Sequence, residues 1–166
     1  MWRIAVSLAL VAVLAAWAAA EPPAQTGSVA CGQHKMVTPA QLTWGPAPPG
    51  LPRAVEVAVL EGDPMHAGYF SVRLRIPDGG QLKPHWHSQD EHLTVMSGTF
   101  MMGMGEKWDP AHTTALSAGG YMGLPAGQKH FAQAHGETIV QVSGIGPFDI
   151  SYVNPTDDPR QRRSSR

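Results

Sequence analysis

Apolar and polar residues alternate with a period of two through most of the chain beyond residue 53. Residues 69–76 show this well, because the even-numbered positions are apolar and the odd-numbered positions are Tyr, Ser, Arg and Arg. Such a period predicts a β-strand with one buried and one exposed face. Similar short runs, bounded by Gly, Pro or Asp turns, predict strands at residues 54–60, 92–97, 99–104, 113–117, 121–124, 130–134, 138–143 and 148–153.

The number and spacing of these strands predict an all-β fold. The chain contains 18 Gly and 15 Pro in 166 residues, a content that disfavours long helices. Hydrophobic residues make up 43% of the chain and charged residues only 15%, so a core can form and the composition is not that of a disordered protein. Because a chain with so little charge must avoid exposed sheet edges, we expect a small closed barrel or jelly roll.

The two ends of the chain differ from this barrel region, which we place at residues 53–156. Residues 1–20 carry Arg3, an Ala-rich apolar run and a small-x-small pattern before Glu21, which predicts a cleaved signal peptide. An uncleaved membrane anchor is the alternative. Residues 21–52 contain seven prolines and predict an extended arm, partly packed on the barrel through residues 36–44. Residues 157–166 predict a basic, disordered tail.

Charge and cysteine content exclude several classes of function. The net charge of −1 provides no broad basic field, so we expect no binding to nucleic acid. Cys31 is the only cysteine, so no intramolecular disulfide can form. With the predicted signal peptide, these features indicate a secreted or periplasmic protein that is not stably inserted in the membrane after cleavage.

The candidate chemistry lies in His85, His87, Glu91 and His130. The first two are two positions apart on an extended segment, so their imidazoles point to the same face, about 6.6 Å apart, and one cation can join them. On a straight strand Glu91 would lie about 13 Å from His87, so the chain must turn at residues 88–90 for both to reach one ion. His130 follows a turn at residues 125–127 that can deliver it onto a facing strand.

These residues stand in two motifs that resemble those of the cupin superfamily. Residues 79–98 match the first motif, G-x5-H-x-H-x3-E-x6-G, in full. The second motif, G-x5-P-x-G-x2-H-x3-N, is met by Gly119, Pro125, Gly127 and His130, but its final Asn is Ala134 here, which leaves the support of His130 unidentified. The resemblance is to a single-domain secreted cupin similar to germin-like and quercetinase-like proteins. It implies a double-stranded β-helix with an N-terminal extended arm.

The resemblance also implies a metal site, because three His and one Glu bind the metal in cupins. The four residues named above would then hold one divalent transition ion, and such donors suit Fe, Mn, Ni, Co, Cu or Zn. The implied function is an oxygen-using dioxygenase or oxidase acting on a small oxygen-chelating organic substrate, with Glu91 as ligand and possible catalytic base. The alternatives are a non-catalytic, metal-dependent ligand-binding or sensing cupin and a sugar-acid isomerase or lyase.

Two further histidines compete for a role. His92 neighbours Glu91 on a strand and therefore points to the opposite face, while His135 precedes Gly136 and is expected in a turn. We also expect a homodimer, because the apolar arm with Trp44 can cover the sheet edge of a partner.

Overall fold

The computed structural model describes residues 34–161, and the account below concerns the unit that begins at Met36. Its strands are Gly45–Pro46 (β1), Glu56–Glu61 (β2), Gly68–Ile76 (β3), Gln81–Trp86 (β4), Glu91–Met104 (β5), Thr114–Ser117 (β6), Tyr121–Leu124 (β7), His130–Gly146 (β8) and Ser151–Tyr152 (β9). Short 3-10 helices lie at Pro39–Gln41 and Pro155–Asp157. Within residues 34–161, no helix has the length and apolar character needed to cross a membrane.

The two longest strands, β5 and β8, divide the sheet into two halves. The first half-sheet has the order β1-β2-β3-β8-β5-β7 and uses the N-terminal half of β5 and the C-terminal half of β8. The second half-sheet has the order β9-β4-β8-β5-β6 and uses the other halves of the same two strands. All of these pairs are antiparallel. The sheet therefore rolls around one core with β5 and β8 in both halves.

Glycines stand at the bends of the two long strands. Gly98 in β5 and Gly136 in β8 have φ angles of 77° and 71°, in the left-handed region that favours glycine. A Cβ on Gly98 would also lie 2.5 Å from the carbonyl oxygen of Glu137. The sequence predicts a break at each bend, giving strands 92–97 and 99–104, and strands 130–134 and 138–143. The structure joins each pair into one strand, because the β5–β8 pairing resumes beyond the bend.

The core lies between the two half-sheets. The apolar positions of residues 69–76 are buried, as the alternation predicts. They pack with Val55, which precedes β2, and with apolar residues from β4, β5, β7 and β8. The cluster of buried side chains is Val55, Phe70, Val72, Leu74, Ile76, Leu82, Leu93, Val95, Phe100, Met102, Met122, Leu124, Ala132, Ala134, Val140 and Val142. The predicted all-β fold is confirmed, and the rolled sheet agrees with the expected double-stranded β-helix.

The predicted ends of the chain are described only in part. The signal peptide at residues 1–20, residues 21–33 of the arm and residues 162–166 of the tail lie outside the described residues. In the rest of the arm, Met36 is 82% exposed, whereas the ring of Trp44 lies 4.3 Å from the guanidinium carbon of Arg75. At the other end, Arg160 of the predicted tail is exposed, and its guanidinium binds Asp158 and the carbonyl of Ile150.

Candidate metal centre

The four candidate residues meet in the interior of the rolled sheet. His85 lies near the end of β4, directly opposite His130, the first residue of β8. His87 follows β4, and Glu91 is the first residue of β5 after a bend at residues 88–89. The turn that the sequence requires between His87 and Glu91 is therefore present.

Hydrogen bonds between two loops bring the distant stretches of chain together. The backbone N–H of Gly127 donates to the carbonyl of His87 at 2.9 Å. The backbone N–H of Ala126 donates to the carboxylate of Asp90 at 2.8 Å. These bonds attach the turn that precedes His130 to the turn that precedes Glu91, and so fix the spacing between the two halves of the site.

Nitrogen and oxygen atoms from all four side chains converge. One ring nitrogen from each of His85, His87 and His130 lies within 4.8 Å of the corresponding nitrogens of the other two. Oε2 of Glu91 lies 3.4 Å from Nε2 of His130 and 3.7 Å from Nε2 of His87. All four residues are buried, with exposed fractions between 2% and 7%. The three imidazoles can therefore hold one metal ion, and the Glu91 carboxylate lies beside them.

A backbone carbonyl fixes the orientation of each imidazole. Nδ1 of His85 donates to the carbonyl of Lys83 at 2.7 Å, and Nδ1 of His130 donates to that of Gln128 at 3.0 Å. Nδ1 of His87 donates to the carbonyl of Asp149. Because a carbonyl only accepts, Nδ1 carries the proton in each ring and Nε2 keeps the lone pair that a metal needs. The same arrangement supports metal-binding histidines generally.

The Gln128 carbonyl also explains how His130 is supported without the Asn of the second motif. Ala134, which occupies that position, is buried, and its backbone bonds to Gly79 and Gly80. Its methyl group is part of the apolar core. The support of His130 is therefore local and comes from the backbone two residues earlier.

Burial favours the neutral, metal-binding form of His85 and His87 by lowering the pKa of each. Burial lowers the pKa of His85 well below 6.5, and the neighbouring His130 and His87 lower it further. Burial also lowers the pKa of His87, although the Glu91 carboxylate opposes this shift.

One oxygen in the site has no partner in the described part of the chain. Oε2 of Glu91 is buried and makes no hydrogen bond to any described residue. A buried acceptor without a partner costs about 1–3 kcal/mol and is rare in native proteins. A cation among the three Nε2 atoms would give this oxygen a partner, and three imidazoles with one carboxylate suit a divalent transition ion. The residues therefore fit the group that the cupin resemblance implies.

The space beside the site is small and apolar. A cavity of about 20 Å³ is lined by His85, Glu91 and His130 on one side, and by Leu74, Leu82, Leu93, Phe100, Met102, Ala132, Val140 and Val142 elsewhere. This volume accommodates about one water molecule. A larger cleft of about 230 Å³ is bordered by Met101, Trp108, Phe131, Gln133 and His135, and none of the four site residues lines it. The smaller cavity is the one that contacts the converging donor atoms.

The other histidines between residues 36 and 161 lie apart from the centre. His92 is exposed, and its Nδ1 contacts the hydroxyl of Tyr121 at 2.7 Å, on the opposite face from Glu91 as the alternation predicts. His135 is exposed beside the outer cleft. His66 and His112 are exposed and contact the aspartates three residues before them.

Sequence reasoning missed the residues after β8 that contact the site. The ring of Phe148 stacks on the imidazole of His87, with centroids 4.3 Å apart and an angle of 17°. Asp149 supplies the carbonyl that binds the same imidazole. Neither residue has a motif or spacing that relates it to His87, because the contact joins segments about 60 residues apart.

Comparisons with known proteins agree with the fold and with the two motifs. The model of the family described as the ChrR cupin-like domain matches residues 32–149. No curated protein sequence matches this chain.

Solved structures with the same fold differ widely in their described activities. The polyketide cyclase RemF from Streptomyces resistomycificus is 17% identical, with a TM-score of 0.61 over 79% of this chain and 93% of its own. A candidate acetylacetone dioxygenase from Methylibium petroleiphilum PM1 is 20% identical, with a TM-score of 0.57 over 76% of this chain and 85% of its own. KdgF from Halomonas sp. is 17% identical, with a TM-score of 0.51 over 68% and 94%. At these identities the likeness establishes the fold alone.

Proposed function

This chain belongs to the ChrR cupin-like family, and from that membership and the site we propose that it is a metal-dependent oxidoreductase. It binds one divalent transition ion through His85, His87, His130 and Glu91, and acts with molecular oxygen on a small oxygen-chelating organic substrate. The observation that carries the metal assignment is that Oε2 of Glu91 is buried with no hydrogen-bond partner among the described residues. It lies beside three imidazoles whose Nδ1 atoms bond to backbone carbonyls.

The donor set supports a catalytic rather than a purely structural ion. Three neutral imidazoles and one carboxylate leave a divalent ion with a net charge near +1, which attracts a deprotonated oxygen ligand. When bound, the ion would supply Lewis acidity and, for Fe or Mn, redox chemistry with open coordination positions. A four-coordinate Zn would instead leave no position for substrate.

Glu91 is the residue best placed to move a proton. Its carboxylate lies at the first position of β5, against the cavity and within 3.4 Å of Nε2 of His130. It is the only carboxylate among the residues that line the cavity. A carboxylate that leaves the ion can accept a proton from an acidic C–H or O–H group of the substrate. The His residues cannot take this role while their Nε2 lone pairs bind metal.

The cavity lining limits the class of substrate. The residues around it include no Lys or Arg, so nothing there would pair with a phosphate or a second carboxylate. A neutral or singly charged diketone or phenol fits this lining better than a sugar acid, which weighs against an isomerase or lyase of sugar-derived acids. A substrate larger than water also requires the lining side chains to move, which favours small substrates over flavonols.

A non-catalytic sensing role is the second candidate. The narrow cavity favours it, because a site with room for about one water molecule binds a metal more readily than it processes a substrate. In this role the ion and a small ligand would bind without turnover.

Metal analysis and oxygen consumption distinguish the two roles. Protein purified without chelator is analysed for Fe, Mn, Co, Ni, Cu and Zn, then loaded with Fe or Mn and screened with acetylacetone, simple phenols and flavonols. Oxygen uptake that requires the metal and is lost in Glu91→Gln supports the enzyme. Stoichiometric Zn without oxygen uptake on any substrate favours sensing, and the absence of any bound metal contradicts both roles.

We further propose that the protein acts as a homodimer outside the cytoplasm. The localisation rests on the composition of residues 1–20, and the dimer on the apolar arm and on Tyr69 and Ile145. These two residues face each other across β3 and β8 and are 56% and 55% exposed. Mass spectrometry of the mature N-terminus tests cleavage after Ala20. Light scattering at high concentration tests the dimer, and a monomer there refutes it.

A further inference from the structure

The chain that follows β8 contacts His87 of the candidate metal centre. The family match ends at residue 149, so it includes Phe148 and Asp149 but not β9. We call residues 148–160 the C-terminal clasp. Its strand β9 pairs with the histidine-bearing strand β4, with Tyr152 opposite His85 and Ser151 opposite Trp86. The N–H of Val153 continues this pairing with a bond to the carbonyl of Pro84 at 2.9 Å. The clasp is therefore an additional strand laid beside two candidate ligands.

The first two residues of the clasp hold His87 from two directions. The ring of Phe148 stacks on its imidazole and also packs against Phe70, with centroids 5.1 Å apart, which anchors it in the core. The carbonyl of Asp149 accepts the Nδ1–H of His87. The carboxylate of Asp149 accepts the backbone N–H of Ser88 at 3.2 Å. Both the ring plane and the tautomer of His87 thus depend on the clasp.

The distal part of the clasp is held by contacts within the clasp and by one hydrogen bond to Gly50 of the arm. The guanidinium of Arg160 binds both carboxylate oxygens of Asp158 and donates to the carbonyl of Ile150 at 2.9 Å. The hydroxyl of Tyr152 donates to the carbonyl of Gly50 at 2.9 Å. Gly50 is buried, and a Cβ there would lie 2.6 Å from a methyl carbon of Ile150. These contacts hold β9 in register beside β4.

We propose that the clasp is a positioning and retention element of the metal centre, with Phe148 and Asp149 as positioning residues for His87. Arg160 holds the shape of the clasp by joining Asp158 to Ile150, the residue before β9. This inference rests on the proposed metal site. His87 lies just beyond the end of β4, so its backbone is outside the β4–β8 pairing. Its imidazole therefore depends on other contacts for its orientation. Without Phe148 the imidazole gains rotational freedom, so the ion loses one ligand more often and dissociates faster. Loss of such outer contacts weakens metal binding about 10–100-fold.

The first arm of the experiment uses metal-free protein and does not depend on the metal assignment. Long-range ¹H–¹⁵N NMR at neutral pH reports which nitrogen of His87 is protonated. We expect the Nδ1–H form alone in the wild type, a mixture of both forms in Phe148→Leu, and recovery of the single form in Phe148→Tyr. A single, unchanged tautomer in Phe148→Leu would overturn the positioning role.

The second arm measures release of Co²⁺ to excess EDTA from the visible absorption of the loaded protein. We expect release about tenfold faster in Phe148→Leu and Arg160→Ala. Phe131→Leu and Arg53→Ala serve as controls, because Phe131 is a buried ring that packs on Trp108 and Arg53 is exposed. Equal rates in the wild type and both clasp variants would refute retention.

The two arms separate failure of the clasp from failure of the metal site. If the wild type binds no Co²⁺, the metal assignment and with it the retention role are wrong, while the tautomer result still decides whether the clasp positions His87. If Phe131→Leu accelerates release as much as Phe148→Leu, general loosening of the core explains the effect and the clasp has no special role.

Discussion

Oε2 of Glu91 and Nε2 of His130 lie 3.4 Å apart, although the two residues begin different strands. The bond to the Gln128 carbonyl places a proton on Nδ1 of His130, so Nε2 of the neutral ring is an acceptor, as is the carboxylate oxygen. Two acceptors at this distance repel each other unless a cation or a proton lies between them. A metal ion bound by both atoms would remove this repulsion.

Removing any one imidazole should abolish stoichiometric metal binding without unfolding the barrel. The variants are His85→Ala, His87→Ala and His130→Ala, and we expect metal affinity to fall by more than about tenfold in each. The fold persists because the apolar core stabilises the strands. Elemental analysis and far-UV circular dichroism measure the two properties. Full metal content in all three variants would contradict the site assignment.

Metal removal should lower the stability of the wild type. A ligand that binds only the folded state at 100 times its Kd adds about 2.7 kcal/mol to the free energy of unfolding. We therefore expect a higher urea midpoint with the bound ion than in EDTA. Glu91→Gln is the matched control, because it keeps the shape of the side chain and removes the charge. An equal metal-dependent gain in Glu91→Gln would show that the carboxylate is not a ligand.

Acid should destabilise the metal-free protein from near-neutral pH. Burial holds the pKa values of His85 and His87 below 6.5, whereas the unfolded imidazoles titrate near that value. Below pH 6.5 the unfolded state thus binds more protons, and the free energy of unfolding falls by up to about 1.4 kcal/mol per pH unit for each group. Urea unfolding in EDTA between about pH 7.5 and 5 measures the slope. His85→Gln should reduce the slope, and a slope of opposite sign would exclude this explanation.

Tyr152 should ionise late. Burial raises its pKa to about 12, and the Asp158 carboxylate adds to this shift. The folded state therefore keeps the phenolic proton after the unfolded state has lost it, so stability falls as pH rises from 10 towards about 12. The difference in ultraviolet phenolate absorbance between the wild type and Tyr152→Phe isolates this group. A midpoint near 10 would show that the clasp does not bury the ring.

Gly98→Ala should cost more stability than Gly136→Ala. Both positions have positive φ, which costs an L-residue about 1–2 kcal/mol. At Gly98 the new methyl group would also lie 2.5 Å from the Glu137 carbonyl, whereas nothing lies within 4 Å of a Cβ at Gly136. Denaturant unfolding of the two variants compares them directly. An equal decrease in the free energy of unfolding would mean that the backbone of β8 near Glu137 shifts without a loss of stability.

The alternation of residues predicts most of the strands, and the motif spacing predicts which four side chains meet. The alternation is a local signal, and the motif spacing is a pattern that this chain shares with the cupins it resembles. The sequence does not predict that β5 continues past Gly98, because a glycine with positive φ ends some strands and bends others. The stack of Phe148 on His87 has no sequence signal, since it depends on how the chain returns after β8. The sequence does not predict the small size of the cavity either, because that size depends on how the large side chains pack.

The paired strands β5 and β8 belong to both half-sheets, so neither half-sheet can unfold while the other stays intact. Thermal or chemical unfolding should therefore occur as one cooperative transition. Glu91 and His130 are the first residues of these two strands. An ion bound between them would join the two strand ends, where fraying would otherwise start. The bound ion would then stabilise the whole domain in addition to its chemical role.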